Sequence, residues 1–140
     1  MDRREFIKTT CSLCMALGSG LLLETLSSCA SYPVYEAIIE KNKIIVPTSL
    51  FVKSNLQIVR VKNLDYDIAL HKVNDGGYNA FLLRCTHAST PLKYAGDEFV
   101  CPLHGSTFNF EGKVTEGPAT RSLKRMETII SNANITILIN

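Results

Sequence analysis

Two short loops, each carrying one cysteine and one histidine, constrain this chain more than any other feature. The first reads Cys85-Thr86-His87, and the second reads Cys101-Pro102-Leu103-His104. Together they supply two thiolates and two imidazoles. A single zinc ion accepts such a set, and so does a 2Fe-2S cluster with two cysteines on one iron and two histidines on the other. We therefore expect a fold in which the two loops meet around a metal centre.

Length and charge limit the remaining possibilities. The chain has 140 residues, enough for one domain, and a net charge of +2 without a block of like charges. So small a charge gives no reason to expect a nucleic-acid partner. Of the five cysteines, Cys11, Cys14 and Cys29 lie in or just after an N-terminal apolar run. Only Cys85 and Cys101 fall in the expected folded part, so no spare pair remains for a structural disulfide.

The first 28 residues are predicted to be an export signal rather than part of the fold. A basic start, an apolar run and small residues follow one another, as in signal peptides. The pair Arg3-Arg4 followed by Phe6 and Lys8 resembles the bacterial twin-arginine signal, with an ordinary secretory signal as the alternative. The twin-arginine route carries folded proteins, which would suit a protein that acquires a metal cofactor before export.

The end of this segment, Leu26-Ser27-Ser28-Cys29, resembles the lipobox of bacterial lipoproteins. We expect cleavage before Cys29, lipid on Cys29, and a protein that faces the periplasm from a membrane of the bacterial cell envelope. Cleavage by a different peptidase and an uncleaved anchor are the alternatives. The apolar run of about 13 residues is shorter than the ~20 that span a bilayer, which disfavours the anchor.

The rest of the sequence predicts an all-β domain. Residues 29–42 are expected to form a tether, to about Glu36, and then a first strand, and residues 43–140 form the domain. Short apolar or β-branched runs alternate with turn residues, and no convincing helical period is present. This pattern favours a sandwich or a small barrel. The predicted strands are 37–39, 43–46, 57–62, 68–72, 80–84, 98–101, 107–110, 123–126 and 135–139.

Both ligand loops follow predicted strands, so a rigid sheet would present them. The segment between them contains Tyr94-Ala95-Gly96-Asp97, a predicted hairpin turn that would bring the loops side by side. Gly105 would free the backbone to approach the metal centre closely. Ser106 would donate its hydroxyl to a cluster sulfur and so raise the reduction potential.

The two loops are similar to the ligand signature of the Rieske family, Cys-x-His followed by Cys-x-x-His-Gly-Ser. The segment Glu116-Gly117-Pro118-Ala119 resembles the proline loop that covers the cluster in that family. The resemblance extends over about residues 44–139 and implies a Rieske-type iron-sulfur protein with stacked antiparallel sheets. It also implies a small subdomain at the tip, about residues 84–120, that binds a 2Fe-2S cluster. The implied ligands are Cys85, His87, Cys101 and His104, and the implied neighbours are Gly105, Ser106, Phe108 and Pro118.

Three positions depart from the Rieske proteins of cytochrome bc complexes. Thr90 and Leu103 occupy the positions of the two cysteines that form a disulfide there, so the chain is closer to Rieske-type ferredoxins, which lack the bridge. Phe108 replaces a tyrosine that donates a hydrogen bond to the cluster. We therefore expect a potential in the lower to middle part of the ~ −150 to +300 mV range of Rieske centres.

These features favour one-electron transfer by a lipid-anchored protein of the cell envelope. Its partners would be unidentified redox donor and acceptor proteins or a quinol, met by the exposed outer nitrogens of His87 and His104. An electron-transfer subunit of a larger oxidoreductase and a structural zinc module are the alternatives. A catalytic oxygenase is not expected, because no histidine follows His104 to hold a mononuclear iron.

The remaining polar candidates are given structural roles. His71, the only histidine outside the two loops, is expected at the surface or in a structural position where its ring is hydrogen-bonded. Lys93 and Tyr94 are expected to be solvated hairpin residues, although both could lie near His87. Three basic side chains are predicted to share one solvated strand face: Arg121, Lys124 and Arg125.

Overall fold

The computed structural model describes residues 33–140. This part of the chain is built from strands, with a 3-10 helix at Thr48–Phe51. No helix within it is long and apolar enough to span a bilayer. The strands, in chain order, are β1 (Val34–Ala37), β2 (Lys43–Pro47), β3 (Leu56–Val61), β4 (Ile68–Lys72), β5 (Tyr78–Leu82), β6 (Lys93–Tyr94), β7 (Phe99–Val100), β8 (Thr107–Phe108), β9 (Val114–Glu116), β10 (Arg125–Met126), β11 (Thr128–Ser131) and β12 (Asn134–Leu138).

The strands form three sheets. The central sheet has the order β1-β3-β4-β5-β10, the outer sheet has the order β11-β12-β2, and the site sheet has the order β6-β7-β8-β9. Neighbouring strands are antiparallel except for β1 and β3, which are parallel. The predicted all-β, stacked-sheet fold is confirmed.

The central sheet is apolar on both faces because it lies between two cores. In β3, Val59 and Val61 face the first core, whereas Ile58 faces the second. In β4, Ile68 faces the first core and Ala69 the second. Strands covered on both faces have nearly continuous apolar sequences, since no face needs to be polar.

The first core joins the central sheet to the outer sheet. Ile44 and Val46 of β2 and Ile135 and Ile137 of β12 have no exposed surface. They contribute to this core because residues two apart in a strand share a face. The second core lies under the ligand loops and contains both Cys85 and Cys101. The site is therefore fixed to the sheet by packing as well as by the chain itself.

The prediction of a tether as far as about Glu36 was wrong at its C-terminal end. Val34–Ala37 is a strand, and it pairs in parallel with β3 from Val34↔Ile58 to Ala37↔Val61. Ala37 is buried while Val34 and Glu36 are exposed, so the segment has the one-sided burial of an edge strand. The expected first strand at residues 37–39 was therefore placed about three residues too late.

Candidate metal centre

The two ligand loops have the same backbone hydrogen bonds. In the first, the Cys85 N–H donates to the Thr90 carbonyl at 2.9 Å, and the Ser89 N–H donates to the Cys85 carbonyl at 2.9 Å. In the second, the Cys101 N–H donates to the Ser106 carbonyl at 2.8 Å, and the Gly105 N–H donates to the Cys101 carbonyl at 3.0 Å. Each loop is thus closed on its own cysteine, which fixes the direction of the ligand side chains.

The predicted hairpin between the loops is present. Strand β6 pairs with β7 through Lys93↔Val100 and Tyr94↔Phe99, and the Ala95 N–H donates to the Glu98 carbonyl at 2.9 Å. Because Cys101 directly follows β7, this hairpin places the second loop beside the first.

The structure places the two expected cysteine ligands together and the two expected histidine ligands together. The Cys85 and Cys101 thiols are both 1% exposed, and their side chains are hydrogen-bonded to each other. The His87 and His104 rings are exposed and meet edge to face, with centroids 5.0 Å apart and planes at 75°. The sulfurs therefore lie on the inner side of the site and the imidazoles on the outer side.

The surroundings of Cys101 favour a thiolate. Burial alone would raise the pKa of this thiol, but hydrogen bonds outweigh it and the pKa is lowered. The backbone N–H groups of Leu103 and His104 donate to the sulfur, and the side chains of Cys85 and Thr90 also contact it. A sulfur that accepts several donors is stabilised as an anion, which is the form that binds a metal.

The donor set fits a 2Fe-2S cluster of the Rieske type. Such a cluster takes two thiolates on one iron and two imidazoles on the other, and the site offers two sulfurs together and two imidazoles together. Within residues 33–140, no group of three or more His, Cys, Asp or Glu side chains is gathered closely enough to hold one metal ion.

Ser106 connects the second ligand loop to the segment around Pro118. The side chain has no exposed surface, and its Oγ accepts the Ala119 N–H at 3.0 Å. Because the oxygen is used as an acceptor, the hydroxyl proton is left to donate elsewhere. Pro118, which follows a cis peptide bond, is exposed, whereas Ala119 is buried.

Gly105 and Phe108 have distinct reasons for their identity. Gly105 has φ +78°, in the left-handed region that favours glycine, and a Cβ there would meet nothing within 4 Å. Its backbone conformation therefore accounts for the glycine. Phe108 has no exposed surface, lies opposite Phe99 in the site sheet, and belongs to the second core with both cysteines.

Contacts between the first loop and Arg121 were missed by the sequence analysis. The Thr86 Oγ1 donates to the Arg121 carbonyl at 2.6 Å, and the Arg121 guanidinium donates to the Thr86 carbonyl at 3.3 Å. The predicted shared strand face was therefore wrong for Arg121. Lys124 donates to the Asn140 carbonyl and Arg125 to the Asn79 side chain. Nothing in local sequence indicates contacts 35 residues apart.

His71 and Tyr94 are also less solvated than predicted. His71 is half-buried, its ring lies 5.4 Å from that of Phe110, and its buried Nδ1 has no hydrogen-bond partner within residues 33–140. Burial lowers the pKa of His71, and nearby Glu111 opposes this. Tyr94 is half-buried against Phe99 and stacks on Phe110 at 5.9 Å. Lys93 is exposed as expected.

The predictions for Arg3-Arg4, Cys11, Cys14 and Cys29 lie outside the described residues.

Comparison with known sequences identifies relatives of the folded part. Residues 43–127 match the Rieske [2Fe-2S] domain family. The cytochrome b6-f complex iron-sulfur subunit of Cyanothece sp. (strain PCC 7425) is 38% identical over 68 residues, which are 47% of this chain and 36% of that protein. Subunit 1 of the same name from Nicotiana tabacum chloroplasts is 36% identical over 72 residues, 46% of this chain and 30% of that protein. The chain spans about a third of the length of these curated relatives.

Solved structures share the fold. A naphthalene 1,2-dioxygenase chain with indole bound in the active site has a TM-score of 0.58 and 21% identity, covering 74% of this chain and 27% of that one. A chain from the complex of reduced oxygenase and oxidized ferredoxin in carbazole 1,9a-dioxygenase has a TM-score of 0.51 and 21% identity, covering 71% and 94%. At these identities the similarity concerns the fold alone.

Proposed function

Because the chain belongs to the Rieske [2Fe-2S] domain family, we propose that its two loops bind a 2Fe-2S cluster and that the protein transfers single electrons. Cys85 and Cys101 bind one iron, and His87 and His104 bind the other. The bound cluster supplies a one-electron couple. The protein's own residues hold it, donate hydrogen bonds to its ligands and present the two imidazoles to a partner.

One observation carries this proposal: the paired arrangement of the ligands, with two buried thiols in contact and two exposed imidazole rings in contact. A buried sulfur pair shields one side of the centre from water. An exposed imidazole pair gives an electron a short path to a partner that docks there. Gly105, Ser106, Phe108 and Pro118 complete the proposed surroundings of the cluster.

Electron paramagnetic resonance of the reduced protein, together with metal analysis, tests the cluster. We expect two irons per chain and a rhombic signal at lower average g than an all-cysteine cluster gives. His104→Ala should abolish that signal, whereas His71→Gln, a histidine outside the loops, should retain it. One zinc per chain without a signal would instead support the alternative of a structural zinc module.

Two settings for the electron transfer are proposed. The first is a separate one-electron carrier between a donor and an acceptor protein or quinol. The second is an electron-transfer subunit of a larger oxidoreductase, which the name of the cytochrome b6-f relatives favours. Purification from the native membrane distinguishes them, because a subunit should elute with stoichiometric partner chains and a carrier should elute alone.

We further propose that residues 1–28 are a twin-arginine signal, that a short link joins it to the domain, whose first strand begins at Val34, and that Cys29 carries lipid in the cell envelope. The support comes from the sequence motifs alone. Cys29→Ala should abolish labelling by radioactive palmitate and release the protein from membranes, whereas Cys14→Ala should do neither. Unchanged labelling of the Cys29 variant would contradict the lipoprotein proposal. Arg3→Lys with Arg4→Lys should block export if the twin-arginine route is used.

A further inference from the structure

A groove lined by cations borders the first ligand loop. Arg84, Arg121 and Lys124 line it beside Cys85 and Thr86, and its volume is about 280 Å³. No carboxylate lines it. We call this feature the basic groove.

The two guanidinium groups of the basic groove, those of Arg84 and Arg121, have no acidic partner in the described part of the chain, and Lys124 donates to the main-chain oxygen of Asn140 at 3.0 Å. Its ion pairs join Arg60 to Asp67 and Lys113 to Glu111, and neither pair reaches the groove. Cations that are not paired within the fold remain available to an external anion. Binding of an anion also relieves the repulsion between the cations.

Both guanidinium groups are held in place before any ligand arrives. That of Arg84 donates to the Ser89 Oγ at 2.6 Å and lies 5.5 Å above the Tyr66 ring, while the Tyr66 hydroxyl donates to the Ser89 carbonyl at 2.8 Å. That of Arg121 donates to the Thr86 carbonyl. Side chains that are already ordered lose less conformational entropy on binding.

The basic groove lies beside the first ligand loop of the proposed metal centre. Arg121 is hydrogen-bonded to Thr86, which lies between Cys85 and His87 in the chain. A group bound in the groove therefore lies next to the loop that supplies two of the four proposed ligands. An interaction there would orient a partner with respect to the proposed cluster.

We propose that the basic groove binds carboxylate side chains on the surface of the redox partner. This inference rests on the proposed function. Guanidinium groups match carboxylates in a planar, bidentate geometry, and exposed charges of opposite sign steer association and fix orientation. Exposed ion pairs are individually weak, which suits a partner that docks and leaves with each electron.

Binding of a fluorescein-labelled oligoglutamate peptide to the cluster-loaded full chain tests the proposal. At low ionic strength, Arg84→Gln with Arg121→Gln should weaken binding about tenfold, since each exposed pair changes affinity a few-fold. The matched control, Lys41→Gln with Lys53→Gln, removes the same charge from exposed lysines outside the groove and should change binding less than about twofold. Equal loss in both variants, or no binding by the native chain, would overturn the proposal.

A second variant covers the possibility that the arginine changes disturb the ligand loop. Lys124→Gln removes a cation that takes no part in the Thr86–Arg121 contacts and should also weaken peptide binding. Saturable binding of inorganic phosphate that the peptide does not displace would assign the groove to a free anion and overturn docking. The resonance signal of each variant reports the cluster separately, so a failed groove with an intact signal leaves the proposed function standing.

Discussion

The Thr90 side chain contacts the Cys101 sulfur, and its Oγ1 also lies 3.4 Å from the Ala88 carbonyl, in a position that the sequence marked only by the lack of a cysteine. A bridge at this position would have to reach residue 103, and Leu103 is 57% exposed. The sulfur receives donors from the Leu103 and His104 backbones and from Thr90. Several donors thus surround this ligand, and each stabilises negative charge on the sulfur.

Thr90→Val should therefore lower the reduction potential. A donor to the sulfur favours the reduced cluster, which carries one more electron, so its removal disfavours reduction. A hydrogen bond contributes about 1 kcal/mol, which for one electron corresponds to about 40 mV. A redox titration monitored by electron paramagnetic resonance measures the shift in reduction potential. Thr115→Val removes a hydroxyl that bonds to Thr107 in the site sheet and should leave the potential within about 10 mV.

His71 should make stability depend on pH. Burial lowers the pKa of His71 from its ordinary value of 6.5, so below about pH 6.5 the unfolded chain binds a proton that the folded protein does not. Stability should then decrease as pH falls from about 6.5 toward the lowered folded-state value, by at most about 1.4 kcal/mol per pH unit and less because the ring is partly solvated.

Urea unfolding of the loaded protein between pH 5 and 8 checks this prediction. In His71→Gln the same change with pH should be smaller, because the group that takes up the proton is gone. The pair Glu111–Lys113 does not produce the same effect, since Lys113 lowers the pKa of Glu111 from 4.5, below this interval. Identical pH profiles for the two proteins would show that His71 is not the cause.

The ligand loops are the elements that sequence reasoning placed best. Both cysteines, both histidines and the hairpin between them are specified by residue type and spacing within one short segment. Strands β3 and β4 were also predicted within a residue, because their apolar runs are long. Strands β6, β9 and β11 were not predicted. They are two to four residues long and mostly exposed, so they exist through pairing with neighbours rather than through their own pattern.

The turn between β8 and β9 depends on Gly112. This residue has φ +75°, and a Cβ would lie 2.6 Å from the Phe81 ring of the central sheet. Gly112→Ala should cost about 3 kcal/mol of the free energy of unfolding, from backbone strain and from displacement of the ring. Gly96→Ala, at φ +91° with open space around it, should cost only about 1 kcal/mol. Denaturant unfolding of both variants compares the two contributions, and equal losses would contradict a role for the Phe81 contact.

In the molecule as a whole, the central sheet lies between two hydrophobic cores that support different parts of the fold. The first core holds the outer sheet, and the second supports the ligand loops. The fold class was predictable because periodicity and turns indicate strands. The family resemblance implied stacked sheets, but periodicity did not indicate that β3 is covered on both faces, because Arg60 and Lys62 fall on the same face as Ile58 in a strand. Ile58 is only 5% exposed, because the site sheet covers that face.

Shortening one side chain in each core should show that the first core contributes to stability and the second core retains the iron. Ile137→Ala, at a fully buried position of the first core, should cost about 3 kcal/mol while the rate of iron loss to a chelator stays unchanged below the unfolding transition. Leu92→Ala, in the second core with both cysteines, should accelerate iron loss under the same conditions, because a cavity there admits water and chelator. Equal rates in the two variants would show that the cores do not act separately.

The pairing of β12 with β2 has a consequence for the order of events during synthesis. The ligand loops and their hairpin close over a short stretch of chain, but the outer sheet closes over contacts such as Thr48 with Ala133, 85 residues apart. Closing so long a loop is entropically costly and slow. A nascent chain on the ribosome has both loops before it has β12, so the first core is completed later than the ligand loops. Any insertion of iron during synthesis would therefore meet a protein whose outer sheet is still open.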